Sequence, residues 1–194
     1  MGQPPVLNGA APPPLPGSRR EARLADEAAT EALGHGLARA LPPPSAGPLL
    51  LALEGELGAG KTTLARALLR ALGAQGTVRS PSYTLLEPYD LPPWQVLHLD
   101  LYRLSDPGEL ESLGLRDALV PGHLWLVEWP ARGAGHLPPA DLWLRLSEPA
   151  PVAAVSGEAP SGERRVAVEA HTPLGRAWLA ALLAGDLGAW QDSR

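Results

Sequence analysis

The stretch that most constrains the fold is a glycine-rich loop set between an apolar run and a helical pattern. The run PLLLALEG, residues 48–55, is continuously apolar, as expected of a strand buried on both faces of a parallel sheet. It leads into GELGAGKT, residues 55–62, and then into KTTLARALLRALG, residues 61–73, whose final glycine is typical of a helix end. A strand, a tight loop and a helix in this order predict an α/β fold.

The loop matches the phosphate-binding pattern G-x-x-x-x-G-K-[ST] in full. Glycines let successive backbone N–H groups turn toward one anion, and the N-terminus of the following helix adds its own donors and dipole. The pattern predicts that nucleotide phosphates contact Gly55, Glu56, Leu57, Gly58, Ala59, Gly60, Lys61, Thr62 and Thr63. In this pattern Thr62 holds Mg²⁺ and Thr63 bonds the α-phosphate. The alternative is an ordinary glycine-rich turn with an exposed lysine.

Lys61 is the only lysine in a chain with sixteen Lys and Arg residues. Its compact ammonium reaches the β- and γ-phosphates as a point charge, whereas an arginine fork is larger and differently directed. A drift toward arginine in the genome explains the other fifteen cations, but it does not explain this one.

Strand and helix patterns alternate along the rest of the chain, which predicts a P-loop NTPase-like three-layer sandwich with a mainly parallel sheet. We expect a disordered Pro-rich arm at 1–20 and a single domain at 21–190. The predicted helices are 23–41, 61–73, 106–115 and 173–185, and the predicted strands are 48–55, 83–88, 94–104, 123–130, 140–148 and 164–170. The strand at 140–148 alternates apolar and polar residues, so we expect it to be half-exposed. Residues 147–163 form a turn-rich insert.

Two acidic residues lie at the ends of apolar strands. Asp100 follows the run VLHL, and Glu128 follows LWLV. An unpaired carboxylate in such a run is costly to bury, and ATP hydrolysis needs acids near Mg²⁺. The alternative for each is an acid at a strand end that faces water.

Composition limits the partners. Without cysteine the chain has no disulfide or thiolate metal site, which fits a reducing compartment, and we expect it to be cytoplasmic. No apolar run approaches the roughly twenty residues of a membrane helix, so no membrane association is expected. The net charge of −5 favours contact with nucleic acid through a partner and not directly.

The motifs together resemble one family. GELGAGKTTLARALL, SPSYTLL, HLDLYRL, ELESLGLRD, LVEWP and LP-x-x-DL occur in the order found in the TsaE (YjeE) ATPases, and RRVAVEA resembles their closing strand. These ATPases act in the biosynthesis of threonylcarbamoyladenosine (t6A) in tRNA. The match covers about 25–146.

The resemblance implies roles for individual residues. Lys61 would bind phosphates, and Thr62, Asp100 and Glu128 would serve Mg²⁺ coordination, with Lys61 and the two acids also catalytic. The loop Ser80–Leu85 resembles a switch near the γ-phosphate, and Thr30 would lie at the adenine pocket. Arg164 and Arg165 are interpreted as a solvated strand end, and His98 as a strand residue supporting the region of Asp100.

The function implied is an ATPase that uses ATP and Mg²⁺, releases ADP and phosphate, and works with TsaD- and TsaB-like proteins, meeting tRNA only through them. Activity of the isolated protein should be low, since no arginine finger is evident. Two alternatives remain, a small-molecule P-loop kinase and a nucleotide-gated partner-binding module. A kinase needs an arginine-rich lid, for which the chain shows no pattern.

Overall fold

The computed structural model describes residues 13–148 and 162–185, together with the backbone of 191–192. The strands are β1 Arg19–Leu24, β2 Leu49–Glu54, β3 Leu86–Leu91, β4 Trp94–Asp100, β5 His123–Glu128, β6 Leu142–Ser147, β7 Arg164–Ala170 and β8 Gln191–Asp192. The α-helices are α1 Glu27–Arg39, α2 Lys61–Ala71, α3 Glu109–Ser112 and α4 Pro173–Ala184. Short 3-10 helices lie at Pro44–Ala46, Leu115–Ala118 and Pro130–Gly133.

These strands form one sheet in the order β3-β4-β5-β2-β6-β7-β1-β8. The four central strands, β4, β5, β2 and β6, are parallel. On one side β3 pairs antiparallel with β4, and on the other β7, β1 and β8 continue the sheet with antiparallel pairing. The parallel centre agrees with the predicted fold class, and it brings the carboxyl ends of four strands to one edge.

The helices α1, α2 and α4 cover one face of the sheet. Their apolar side chains share a buried core with the residues of β2 that face them, including Leu51 and Leu53. The helices α1 and α2 are in such close contact that a Cβ on Gly34 would lie 2.6 Å from the carbonyl oxygen of Leu64. Glycine at this position therefore allows α1 to pack beside the helix that follows the phosphate-binding pattern.

The second face of the sheet is covered by shorter helices. Leu110 of α3 and Leu115 of the following 3-10 helix pack on Leu50, Trp125 and Val127 from β2 and β5. Apolar cores on both faces complete the predicted three-layer sandwich.

The first strand was not predicted from the sequence. The four-residue spacing predicts a helix from Arg23, whereas Arg19–Leu24 forms β1, whose partly buried side chains alternate with exposed ones. Helix α1 begins only after Asp26, whose carboxylate accepts a hydrogen bond from the Ala29 N–H at 2.8 Å. The strand starts within the segment assigned to the arm, of which residues 1–12 lie outside the described residues.

Two further strands differ from expectation. Strand β3 begins at Leu86, later than predicted, because Leu85 has a φ of 62° that turns the chain just before the strand. Strand β6 is mostly buried and not half-exposed, since it lies between β2 and β7 with a core on each face. Most of the insert, 149–161, lies outside the described residues. No helix in the described ranges has the length and apolarity needed to cross a membrane.

Candidate functional site

The candidate site lies where three adjacent parallel strands end. In the register of β4 and β5, Asp100 pairs with Glu128, and in that of β5 and β2, Glu128 pairs with Leu53. The glycine-rich loop leaves β2 directly afterwards, at Gly55. The order of the central strands therefore places both predicted acids beside the loop.

The loop has the backbone conformation that the glycines predict. Gly55, Gly58 and Gly60 have φ values of 149°, 82° and 101°. A Cβ on Gly55 would lie 2.3 Å from the carbonyl oxygen of Leu146, because the loop leaves the sheet against the end of β6. Gly60 precedes the first residue of α2, and no side chain caps that helix end. The amino end of α2 is thus available to an anion.

Lys61, the first residue of α2, folds back over the loop. Its Nζ donates to the carbonyl oxygens of Gly55 at 2.7 Å and Glu56 at 2.8 Å, and lies 4.0 Å from the centre of the Trp129 ring. Burial lowers the pKa of Lys61, and the carboxylates of Glu128, Asp100 and Glu56 oppose this shift. The ammonium has three N–H donors, so two carbonyl bonds leave one for another acceptor.

Glu128, the last residue of β5, links the sheet to α2, the helix that follows the glycine-rich loop. The Thr62 hydroxyl donates to the Glu128 carboxylate, with Oγ1 2.8 Å from Oε2 and 3.1 Å from Oε1. On its other side, Glu128 Oε1 lies 2.9 Å from Nε2 of His98. Both Glu128 and His98 are buried, with 1% and 0% of their surfaces exposed. His98 therefore contacts Glu128, the register partner of Asp100, and lies within the region of Asp100 that the sequence interpretation assigned to it.

Asp100 is held by the loop that resembles a switch. Its Oδ2 accepts hydrogen bonds from the hydroxyls of Ser80 and Ser82, the latter at 2.6 Å, and the two hydroxyls lie 2.8 Å apart. Its Oδ1 accepts from the backbone N–H of Tyr102 at 3.0 Å. The two acids thus have separate partners, since Asp100 bonds the loop at 80–85 and Glu128 bonds α2.

Trp129 lines the mouth of the site. Its backbone is left-handed, with φ 59° and ψ 48°, and its N–H donates to the carbonyl of Leu53 at 3.1 Å. The rings of Trp129 and Tyr102 have centroids 5.0 Å apart. The motif residue Arg103 lies outside this cluster, with its guanidinium 4.2 Å from the centre of the exposed Tyr83 ring.

These residues surround a cleft of about 230 Å³. It is lined by the predicted residues Leu57, Gly58, Gly60, Lys61, Thr62, Thr63, Asp100 and Glu128, and also by Ser80, Ser82, Tyr102 and Trp129. Gly55 and Glu56 lie behind the cleft, where their carbonyls bind Lys61, and Ala59 is buried in the loop.

A second cavity of about 320 Å³ continues from the other side of the loop and shares Gly58, Gly60 and Thr63 with the cleft. Thr30, which the resemblance assigns to the adenine pocket, lines it, and so do Glu27, Gly162 and Arg164. Arg164 and Arg165 begin β7, and Arg165 is exposed, as expected of a solvated strand end. Arg164 is only partly buried, and in an exposed hydrogen bond its Nη2 donates to the Gly58 carbonyl at 3.4 Å. No local pattern marks Arg164, because only the position of β7 brings it to the loop.

The donors of the cleft fit a Mg²⁺ ion that is bound together with phosphates. Thr62, Glu128 and Asp100 offer a hydroxyl and two carboxylates, which are the oxygen ligands that Mg²⁺ prefers. Within 13–148 and 162–185, no group of three or more His, Asp or Glu side chains could hold a metal ion by itself. This suits Mg²⁺, which usually takes one or two carboxylates and completes its shell with water and substrate phosphates.

Comparisons with known proteins agree with this geometry. A protein-family model described as "Threonylcarbamoyl adenosine biosynthesis protein TsaE" matches residues 24–153. The chain is 47% identical over 98 residues to the tRNA threonylcarbamoyladenosine biosynthesis protein TsaE of Haemophilus influenzae, which covers 50% of this chain and 62% of that protein. It is 40% identical over 80 residues to the protein of the same name in Bacillus subtilis, covering 41% of this chain and 49% of that protein.

The matches thus span about half to three-fifths of the length of these relatives. The crystal structure of Bacillus subtilis YdiB superposes with a TM-score of 0.65 at 24% identity, and the match covers 86% of this chain and 95% of that one. At this identity the likeness is evidence of a shared fold.

Proposed function

Because the chain belongs to the TsaE family of threonylcarbamoyl adenosine biosynthesis proteins, we propose that it is a Mg²⁺-dependent ATPase that supports t6A modification of tRNA. The reaction is hydrolysis of ATP to ADP and phosphate. The observation that carries this proposal is the hydrogen bond of Thr62 to Glu128 at 2.8 Å, beside the uncapped amino end of α2. It joins the hydroxyl of the phosphate-binding pattern to an acid at the end of a neighbouring strand.

The loop and α2 would bind the phosphates. The backbone N–H groups at the start of α2 have no side-chain cap, and the helix dipole favours negative charge there. Lys61 already lies in the loop and has one N–H donor left for a phosphate oxygen. These groups would neutralise the charge that spreads over the transferred phosphoryl group.

The two acids have different neighbours, which supports different roles. Glu128 is bonded to Thr62, so we assign these two residues to the metal. Asp100 is bonded to Ser80 and Ser82 in the loop that resembles a switch, and we assign it to the orientation of the attacking water, with a further role in the metal's outer shell. When bound, Mg²⁺ supplies a positive charge that polarises the phosphates and helps to neutralise them.

The nucleoside would occupy the second cavity. Thr63, the residue assigned to the α-phosphate, lines this cavity, and neither Asp100 nor Glu128 does. Thr30 and Arg164 are on its wall. ATP would therefore cross the loop from the side of α1 to the ends of β4 and β5.

The remaining requirement is a cation that stabilises the transition state. No arginine of the described residues lines the cleft that holds the acids. We propose that TsaD- and TsaB-like proteins supply or order this missing element, that the isolated chain hydrolyses ATP slowly, and that tRNA is met only through these partners. The family's place in t6A biosynthesis supports this choice of partners.

The test is ATP turnover by the full chain with and without the TsaD- and TsaB-like proteins. We expect the partners to raise turnover, and Asp100→Asn and Glu128→Gln to lower the stimulated rate by roughly 10²–10⁴-fold. Glu111→Gln, at an exposed position, is the matched control and should match wild type. Unchanged hydrolysis in both acid variants would contradict the site assignment.

A second measurement separates hydrolysis from binding alone. We expect multiple rounds of tRNA modification to require ATP, and a non-hydrolysable analogue to support one round at most. Sustained modification with the analogue would favour the nucleotide-gated binding module instead.

A further inference from the structure

His98 lies in the core directly below the acids. It is two residues before Asp100 on β4, so both side chains point to the same face of the sheet. Glu128 on the neighbouring strand pairs with Asp100, which makes His98 its diagonal neighbour. The His98 ring has no exposed surface, and its Nε2 lies 2.9 Å from Glu128 Oε1.

Apart from the two acids, the side chains beside His98 on its face of β4 and β5 are apolar, and on β3 its register partner is the exposed Glu87. Val96, Leu124 and Leu126, on the same face of β4 and β5, are all fully buried. The second ring nitrogen, Nδ1, is buried and has no hydrogen-bond partner among the described residues. Burying a polar nitrogen without a partner costs free energy, so a leucine would suit this position better if packing were the only requirement.

The hydrogen bond between the His98 ring and Glu128 has a defined direction. An ionised carboxylate only accepts hydrogen bonds, so the ring donates its Nε2–H to Glu128 Oε1. The other carboxylate oxygen, Oε2, is the one closer to the Thr62 hydroxyl, at 2.8 Å against 3.1 Å for Oε1. The carboxylate is therefore held from both sides, by His98 in the core and by Thr62 at the cleft.

We propose that His98 is a positioning residue that fixes the Glu128 carboxylate in the orientation that serves Mg²⁺ beside Thr62. This inference rests on the proposed function, because it presupposes that Glu128 and Thr62 hold the metal. His98 contacts neither nucleotide nor metal, and it acts through Glu128. Groups that orient a metal ligand in this way typically change metal affinity or activity by about 10–100-fold when they are removed.

The first test measures binding, not turnover. ATP affinity is determined by calorimetry with and without Mg²⁺ for wild type, His98→Leu and His98→Gln. We expect His98→Leu to reduce the tightening that Mg²⁺ produces by about tenfold or more, with affinity in the absence of Mg²⁺ unchanged. His98→Gln keeps an N–H donor of similar reach and should restore most of the effect.

Val96→Ala is the matched control, since it removes buried volume from the same face of the same strand without contacting Glu128. It should lower the melting temperature and leave the Mg²⁺ effect intact. Equal loss of the Mg²⁺ effect in Val96→Ala and His98→Leu would overturn the proposal, because packing alone would then account for it. A wild-type Mg²⁺ effect in His98→Leu would overturn it as well.

The second test is a double-mutant cycle on turnover with the partner proteins present. We expect His98→Leu to lower kcat by about 10–100-fold with little change in KM for ATP, and to have almost no further effect in a Glu128→Gln background. Additive losses would overturn the proposal. If wild type binds Mg²⁺ and ATP but hydrolyses none, the proposed function fails while the binding test still decides the role of His98.

Discussion

Lys61 shows how much of the candidate site depends on the shape of one side chain. Its ammonium lies between two loop carbonyls, 2.7 and 2.8 Å away, and is covered by the Trp129 ring at 4.0 Å. A guanidinium is planar, longer and directs its donors as a fork, so it cannot occupy this space without displacing the ring or the loop. The geometry therefore supplies a physical reason for a lone lysine among fifteen arginines.

We accordingly predict that Lys61→Arg folds but loses ATP binding or turnover. The charge is kept while its position relative to the phosphates is lost, and the loss of one well-placed donor costs about 10²–10³-fold in rate. The measurements are ATP turnover with the partner proteins and a thermal melt. Arg70→Lys, the reverse exchange at an exposed position of the same helix, is the control and should behave as wild type. Near-normal turnover in Lys61→Arg would show that the position tolerates either cation.

At the scale of elements, Asp141 joins three parts of the fold that supports the site. Its side chain accepts hydrogen bonds from the N–H of Leu50 in β2, at 2.9 Å, and from the hydroxyl of Thr172, which caps α4. Its carbonyl lies 1.9 Å from where a Cβ on Gly175 would be, so α4 can approach only with glycine there. Asp141, just before β6, thereby ties β2 and the cap of α4 together.

This position predicts a specific dependence of stability on pH. Burial raises the pKa of the Asp141 carboxyl, and the hydrogen bonds from Thr172 and Leu50 oppose the shift. Above the ordinary value of 3.8, the folded state keeps a proton that the unfolded state has lost. The contribution of this group to the free energy of unfolding is therefore greatest below pH 3.8 and falls as pH rises through the raised pKa.

We expect the free energy of unfolding of wild type, measured relative to Asp141→Asn, to fall as pH rises from 3.8 and to level off above the raised pKa. Asparagine can still accept from Leu50 and donate to Thr172, but it does not titrate. Urea titrations of both proteins across this pH range make the comparison. Asp117→Asn removes the same charge at an exposed position and controls for net charge. A difference that stays constant with pH would contradict the prediction.

At the scale of the whole molecule, the site is assembled by the strand order. The neighbours β4, β5 and β2 come from well-separated parts of the sequence, and their ends carry Asp100, Glu128 and the loop. The unfolded chain has no comparable site, so a ligand that binds here stabilises the folded state as a whole.

We therefore predict that ATP with Mg²⁺ increases the free energy of unfolding by about 2.7 kcal/mol when free ligand is 100 times the dissociation constant. For a chain of this size, that corresponds to a rise in melting temperature of about 5–10 °C. The measurement is a thermal melt of the full chain, with Mg²⁺ alone and Lys61→Arg as controls. An equal rise in Lys61→Arg would mean that the nucleotide binds somewhere other than the loop.

Much of the fold and site could be predicted from the sequence because the signals are local. The conformation at 55–60 follows from its glycines, β2 from its apolar run, and α2 from its helical pattern, all within 25 residues. Strand β1 was missed because four of its six residues are charged, including the partly buried Arg20, so its alternation becomes visible only when β7 pairs with it. Strand β6 was judged half-exposed because the sequence does not show that a second core covers it.

The sequence by itself determined the glycine-rich loop, the lysine beside it and the two acidic strand ends, since each depends on neighbours along the chain. Only the tertiary structure decided what those residues contact. It bonds Glu128 to Thr62 and His98, bonds Asp100 to Ser80 and Ser82, and brings Arg164 to Gly58 from more than a hundred residues away. The physical reason is that these hydrogen bonds depend on which strands become neighbours in the sheet, and that order is settled by burying two apolar faces at once.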